Sequence, residues 1–209
     1  MRLPETTILS AREITAQHDR LTALWHEQPS ALPCESYDTF LDTVIAQHLA
    51  NFQLWHTEDD ARSPHATDHD LAEVKRAIDR INQRRNDLAE RCDIVLLDYL
   101  RPLDLPNPQA ELNSESPGLV IDRLSILALK LFHTAEEVAR PDAPEGHAER
   151  NRQRLQILKD QRDDLADCLD RLWQHTLAGT RRFKLYLQLK MYNDPALNPV
   201  VYSQRKPPS

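Results

Sequence analysis

A chain of 209 residues with 40% apolar and 28% charged side chains is sized for one ordinary domain with a continuous core. Its three glycines, Gly118, Gly146 and Gly179, are too few for glycine-rich phosphate loops or a turn-dense β fold, which points to an all-α protein. The net charge of −7 argues against non-specific nucleic-acid binding, and no window approaches the ~18 apolar residues of a membrane span.

In chain order, MRLPETTILS has neither a basic n-region nor a long apolar h-region, so no signal peptide is expected. SARE then opens a first helix over about 11–26, with Ser10 as cap, Glu13 reaching back, and Ile14, Leu21 and Leu24 on one stripe. A second helix over about 37–62 carries Leu41, Ile45, Leu49 and Phe52 at helical spacing, ending in LWHTEDD. SPHATDHD breaks it, offering Thr67 or Asp68 as the next cap, and a third helix runs over about 70–100. Pro102, Pro106 and Pro108 end that helix in a loop. NSESPG opens a fourth, with Ser116 as cap and Pro117 in the first turn. From Leu119 to Phe132 it is apolar almost all round, the pattern of a central helix. The fifth begins near His147 and reaches Leu177, or Met191 if it continues through Gly179.

A shift of 77 positions, without gaps, superposes Leu54, His56, Thr57, Pro64, Ala66, Arg85, Asp87, Leu88, Ala89, Asp93 and Leu100 on identical residues. LWHTEDD falls on LFHTAEE. This register describes a duplicated helix hairpin. The predicted architecture is an antiparallel four-helix-type bundle in a single domain: a first hairpin over 37–101, a second over 117–178, and a leading helix at 11–26 as an addition. Residues 180–209 form a basic extension, in which six cations against Asp194 alone give +5 while the remainder carries −12. That extension is expected to dock on its own acidic body. Cys34, Cys92 and Cys168 read as reduced, buried thiols of a cytoplasmic protein, and Trp25, Trp55 and Trp173 as core or interface aromatics.

The repeat sets His56 and His133 at one level of the bundle, each with a carboxylate three residues on, Asp59 and Glu136. These four could hold one divalent ion (manganese, zinc or iron), with Glu58 as a base. Satisfied core or surface histidines are the alternative. On the third helix Lys75, Asp79, Asn82 and Asn86 share a stripe, with Arg76 beside it. That stripe is either a solvated face or part of a polar layer with His48 and Ser125, whose positions coincide under the repeat, and such a layer could hold a polar ligand. NSESPG with Arg123 resembles a helix-terminal anion site, weakened by Asp122.

LWHTEDDAR, VKRAIDRINQRRND, NSESPG with IDRLSILALK, and RRFKLYLQLKMYNDPALNP together resemble a bacterial family catalogued as domain of unknown function 4254, over about 40–202. The resemblance implies that Trp55, His56, Glu58, Asp59, Arg62, Lys75, Arg76, Asp79, Asn82, Gln83, Asn86 and Asp87 belong to its signature. Asn113, Glu115, Pro117, Gly118, Asp122, Arg123, His133 and Tyr192–Pro195 would join them, and a tyrosine is expected where Phe132 stands. The family's neighbourhood implies an accessory role beside a glycosyltransferase in cell-envelope glycan synthesis. Three functions follow as expectations. One is binding of an anionic or phosphorylated ligand by Lys75, Arg76, Asp79, Asn82, Asn86, Asp122 and Arg123 in that role. Another is a divalent-metal enzyme acting on a phosphate or sugar-phosphate bond. The third is a helical interaction module without a pocket. The oligomeric state stays open, a homo-oligomer included.

Overall fold

The computed structural model describes residues 10–29, 39–188 and 197. Five helices make the protein: α1 (Ala11–Glu27), α2 (Phe40–Asp60), α3 (Asp68–Leu100), α4 (Pro117–Ala139) and α5 (His147–Leu177). Two short strands, β1 (Glu111–Leu112) and β2 (Arg181–Arg182), pair in parallel. The chain is all-α in class. The shift of 77 carries the first residue of α2 onto the first of α4, and the last of α3 onto the last of α5.

Local chemistry sets these boundaries. Ser10 accepts from the Glu13 amide, and capping boxes open α2 through Thr39 and Asp42 and α3 through Thr67 and Asp70. Helix α5 stops at Leu177 and does not continue to Met191; Gly179 adopts a left-handed φ of 70° just beyond it. Ser116, however, makes no side-chain cap. The cap comes from another helix: the Asp93 carboxylate of α3 accepts from the Gly118 amide at 2.7 Å. The helix-terminal anion position suggested by NSESPG thus already holds a carboxylate of the protein itself.

Helix α4 packs against all four others, as its apolar sequence requires. Gln47 and Asn51 meet Asp122, His48 meets Ser125, and Trp55 meets His133. Numbers rise together along both helices, so α2 and α4 run in parallel and equivalent positions of the repeat face each other. Helix α1 is no mere addition. It wedges between α2, α4 and α5, burying Ile14, His18, Thr22 and Trp25, with its first amide held by Asp170.

One core cluster gathers Ile14, Leu96, Leu100, Ile121, Leu124 and Trp173 at the end where α4 begins. A second, with Trp25, Leu49, Phe52 and Leu129, lies toward the other end. Of the basic extension, residues 180–188 and 197 are described: Arg181 bonds Glu111 and Asn113, and Phe183 inserts into the first cluster. Cys34 and Tyr192–Pro195 lie outside them. Cys92 is buried, but Cys168 is exposed, contrary to the expectation of buried thiols.

Candidate metal centre

Three helices bring three imidazoles together. His56 on α2 and His133 on α4 approach with ring centroids 5.8 Å apart, and His26 on α1 joins them at 5.0 and 4.9 Å. One ligand nitrogen from each lies within 4.8 Å of the others, the one such convergence of three metal-type donors among the described residues. The Nε2 atoms of all three are buried without a hydrogen-bond partner.

The other ring nitrogens explain why. His26 Nδ1 lies 2.7 Å from the Thr22 carbonyl, one turn back on the same helix. A carbonyl only accepts, so Nδ1 carries the proton and Nε2 the bare lone pair. His133 Nδ1 lies 2.8 Å from Glu136 Oε2 and is fixed in the same tautomer, the way ligand histidines are held at metal sites. A buried polar nitrogen left unmatched costs about 1–3 kcal/mol, and three of them belong to this one cluster. Burial, then the neighbouring His26 and His133, hold His56 below the usual histidine range, so a neutral, ligating imidazole is favoured near neutral pH.

Aromatic rings enclose the cluster. Phe132 stacks on His26 at 4.2 Å, Trp55 on His133 at 4.9 Å, and Phe52 meets His26 and His56 edge-on. The phenylalanine at position 132, where the family resemblance implies tyrosine, therefore serves as a packing surface for a candidate ligand. Zinc–imidazole bonds of about 2.0–2.1 Å place ligand nitrogens about 3.3 Å apart, so the rings would draw in by up to about 1.5 Å around an ion.

The carboxylates stand elsewhere. Glu136 orients His133 and does not join the nitrogens. Asp59 pairs with Arg62 at 3.4 Å on an exposed surface. Glu58, the candidate base, pairs with the same arginine. Two residues on from His56 is about 200° around a helix, and Glu58 faces a different cleft of about 360 Å³, with Trp55, Asp59, Arg62 and Arg85.

A buried polar layer crosses the bundle between the centre and the start of α4. Asp122 accepts from Gln47, from Asn51 at 3.0 Å, and from both Nε and Nη2 of Arg85. Ser125 Oγ joins Asn51 and His48 Nδ1, and His48 Nε2 meets Thr22 Oγ1 at 3.0 Å. The His48–Ser125 pairing read from the repeat is present. The residue from α3 in this layer is Arg85, not the stripe of Lys75, Asp79, Asn82 and Asn86. Lys75 and Asp79 pair with each other on the exposed face, Arg76 pairs with Glu73, and Asn82 accepts from Arg85. Arg123 is held by Glu115 at 2.7 Å. The expected anion ligands are thereby spread over several surfaces. Arg85 was visible in the repeat and in VKRAIDRINQRRND, but nothing in its spacing singled it out. His26 had no sequence signal beyond its i+4 relation to Thr22.

The sequence profile of a family described as protein of unknown function (DUF4254) matches residues 41–185, about two thirds of the chain. The chain belongs to the DUF4254 family. No curated protein and no solved structure matches it. The DUF4254 match contains His56 and His133 but starts after His26, so the third imidazole lies outside it. No helix among the described residues is long and apolar enough to cross a membrane.

Proposed function

We propose that this protein is a mononuclear divalent-metal protein of the catalytic kind, with His26, His56 and His133 as its ligands. The gathering of three imidazoles, each with a buried, unpartnered Nε2 and each with a ligand nitrogen within 4.8 Å of the others, carries the reading. Structural zinc sites are closed by four protein ligands, whereas three leave a position open for an exogenous ligand. An ion so held supplies Lewis-acid chemistry to whatever occupies that position. Imidazole donors favour zinc or iron over manganese, which prefers oxygen, and the carboxylates that would have favoured manganese are engaged by Arg62 and His133. The reading keeps the metal-dependent function expected from the repeat and leaves out the accessory glycan role, which no side-chain contact supports.

Elemental analysis of the purified full chain beside His26→Ala and His56→Ala tests it. About one equivalent of zinc or iron in the wild type, lost in both variants while their helical circular dichroism persists, is expected. A chain that takes up neither metal, or keeps it without His26, contradicts the proposal.

A further inference from the structure

The cleft that reaches two of the three imidazoles says what sort of ligand could fill the open position. His26 and His56 form part of the wall of an open cleft of about 700 Å³. Trp25, Pro29, Phe52 and Ile81 supply most of the rest, and Gln53 and Thr57 add neutral polar groups. Among the described residues lining it there is no lysine, arginine, aspartate or glutamate. Sites that hold phosphoryl groups surround their oxygens with cationic side chains or rows of backbone amides. Here the charge an incoming ligand would meet is the ion's own, with no cationic side chain in the described lining to add to it. A phosphate dianion entering this cleft would lose its hydration to a largely apolar wall with only the ion to offset that cost.

One further group is suited to a different guest. The indole Nε1 of Trp25, 1% exposed and in the same wall, is a buried donor with no partner. A donor of this kind matches a neutral oxygen acceptor. Resting on the metal reading above, we infer that the ligand of this centre is an uncharged oxygen donor of the carbonyl class carrying an apolar chain or ring, and not a phosphate or sugar phosphate. The ion takes the oxygen, and Trp25, Phe52 and Ile81 take the apolar part.

The cobalt(II)-loaded full chain, followed by its visible absorption, tests this with acetohydroxamic acid, octanohydroxamic acid and inorganic phosphate as probes. The hydroxamic acids are neutral in solution near pH 7, coordinate through the carbonyl and N–O oxygens with release of the N–O–H proton, and differ only in the apolar chain. Octanohydroxamic acid is expected to bind about tenfold or more tighter than the acetyl compound, and millimolar phosphate to leave the spectrum unchanged. Trp25→Phe should weaken both hydroxamic acids severalfold without changing cobalt uptake, and Ile81→Lys should abolish the chain-length preference. Equal affinity for the two chains, or phosphate binding as tight as acetohydroxamic acid, overturns the inference while leaving the metal centre standing. If cobalt gives no spectrum that depends on His26, the metal reading fails and this inference with it.

Discussion

The histidines of the cluster differ in how they are held. His26 is oriented by a backbone carbonyl, which a side-chain substitution cannot remove, but His133 depends on Glu136 Oε2 at 2.8 Å. A carboxylate that accepts from a ligand imidazole fixes its tautomer and strengthens its donor nitrogen, and losing such a partner typically weakens metal affinity 10–100-fold. Glu136→Gln should therefore bind zinc roughly 10–100-fold more weakly than wild type by competition with a chelator, with folding intact because Glu136 is exposed. Unchanged affinity would mean that Glu136 is only a surface ion-pair partner. His56 and His133 were legible because the repeat put both on one level. His26 was not, because α1 has no counterpart in the duplication, and a histidine on an amphipathic helix looks the same whether it meets water or two other imidazoles.

Most helix boundaries could be read from capping and proline chemistry, since those signals lie within three or four residues of the end they mark. The start of α4 is where Ser116 and Pro117 place it, but the group that caps it could not be read, because it is Asp93, 25 residues away on α3. That capping draws the two helices close. A Cβ built on Gly118 would lie 2.1 Å from the Ala89 carbonyl oxygen and 3.0 Å from the Asp93 carboxylate. Gly118→Ala would normally gain about 1 kcal/mol of helix propensity. Here it should lose about 2 kcal/mol or more, because backbone and not a pliable side chain blocks the methyl. Chemical denaturation measures it, and a variant as stable as wild type would show that α3 and α4 can part at little cost. The polar stripe of α3 left both a solvated face and a polar layer open for a related reason: periodicity tells which residues share a face, but not which face a neighbouring helix covers. Arg85, in the covered band, reaches Asp122, whereas Lys75 and Asp79 stay in water.

Across the whole molecule, the buried layer ties α1, α2, α3 and α4 together, and it responds to pH. Burial drops the imidazole of His48 to about 3 and holds that of His18, stacked on it at 4.4 Å, well below 6.5. The folded state refuses protons that the unfolded chain accepts below about 6.5, so these groups stabilise the fold above that pH. Their contribution is lost as pH falls from about 6.5 toward 3, by up to about 1.4 kcal/mol per unit for each histidine. Asp93 acts in the opposite sense. Burial pushes its carboxyl up from 3.8 to about 6, so in that window the folded state holds a proton the unfolded chain releases, and stability declines as pH rises. The metal-free protein should nevertheless lose stability from pH 6.5 to 4, His18, His48 and the less buried His56 outweighing Asp93 and Asp19, whose carboxyl burial also raises. Asp93→Asn, which removes one opposing group, should steepen the loss. A flat profile, or a shallower one in the variant, would contradict this balance. The all-α class and the duplication could be read at this scale from glycine scarcity and a fixed offset. The wedge position of α1 could not, since it depends on which side of the paired hairpins is left open.

The central claim is that three imidazoles from α1, α2 and α4 converge on one ion, and X-ray absorption of the zinc-loaded full chain tests it most directly. Three imidazole nitrogens and one or more light non-protein donors per zinc are predicted, with the imidazole count falling or zinc lost altogether in His26→Ala. A zinc held by two or fewer imidazoles, bound through thiolate sulfur, or unchanged in that variant would show that the cluster is not a metal centre.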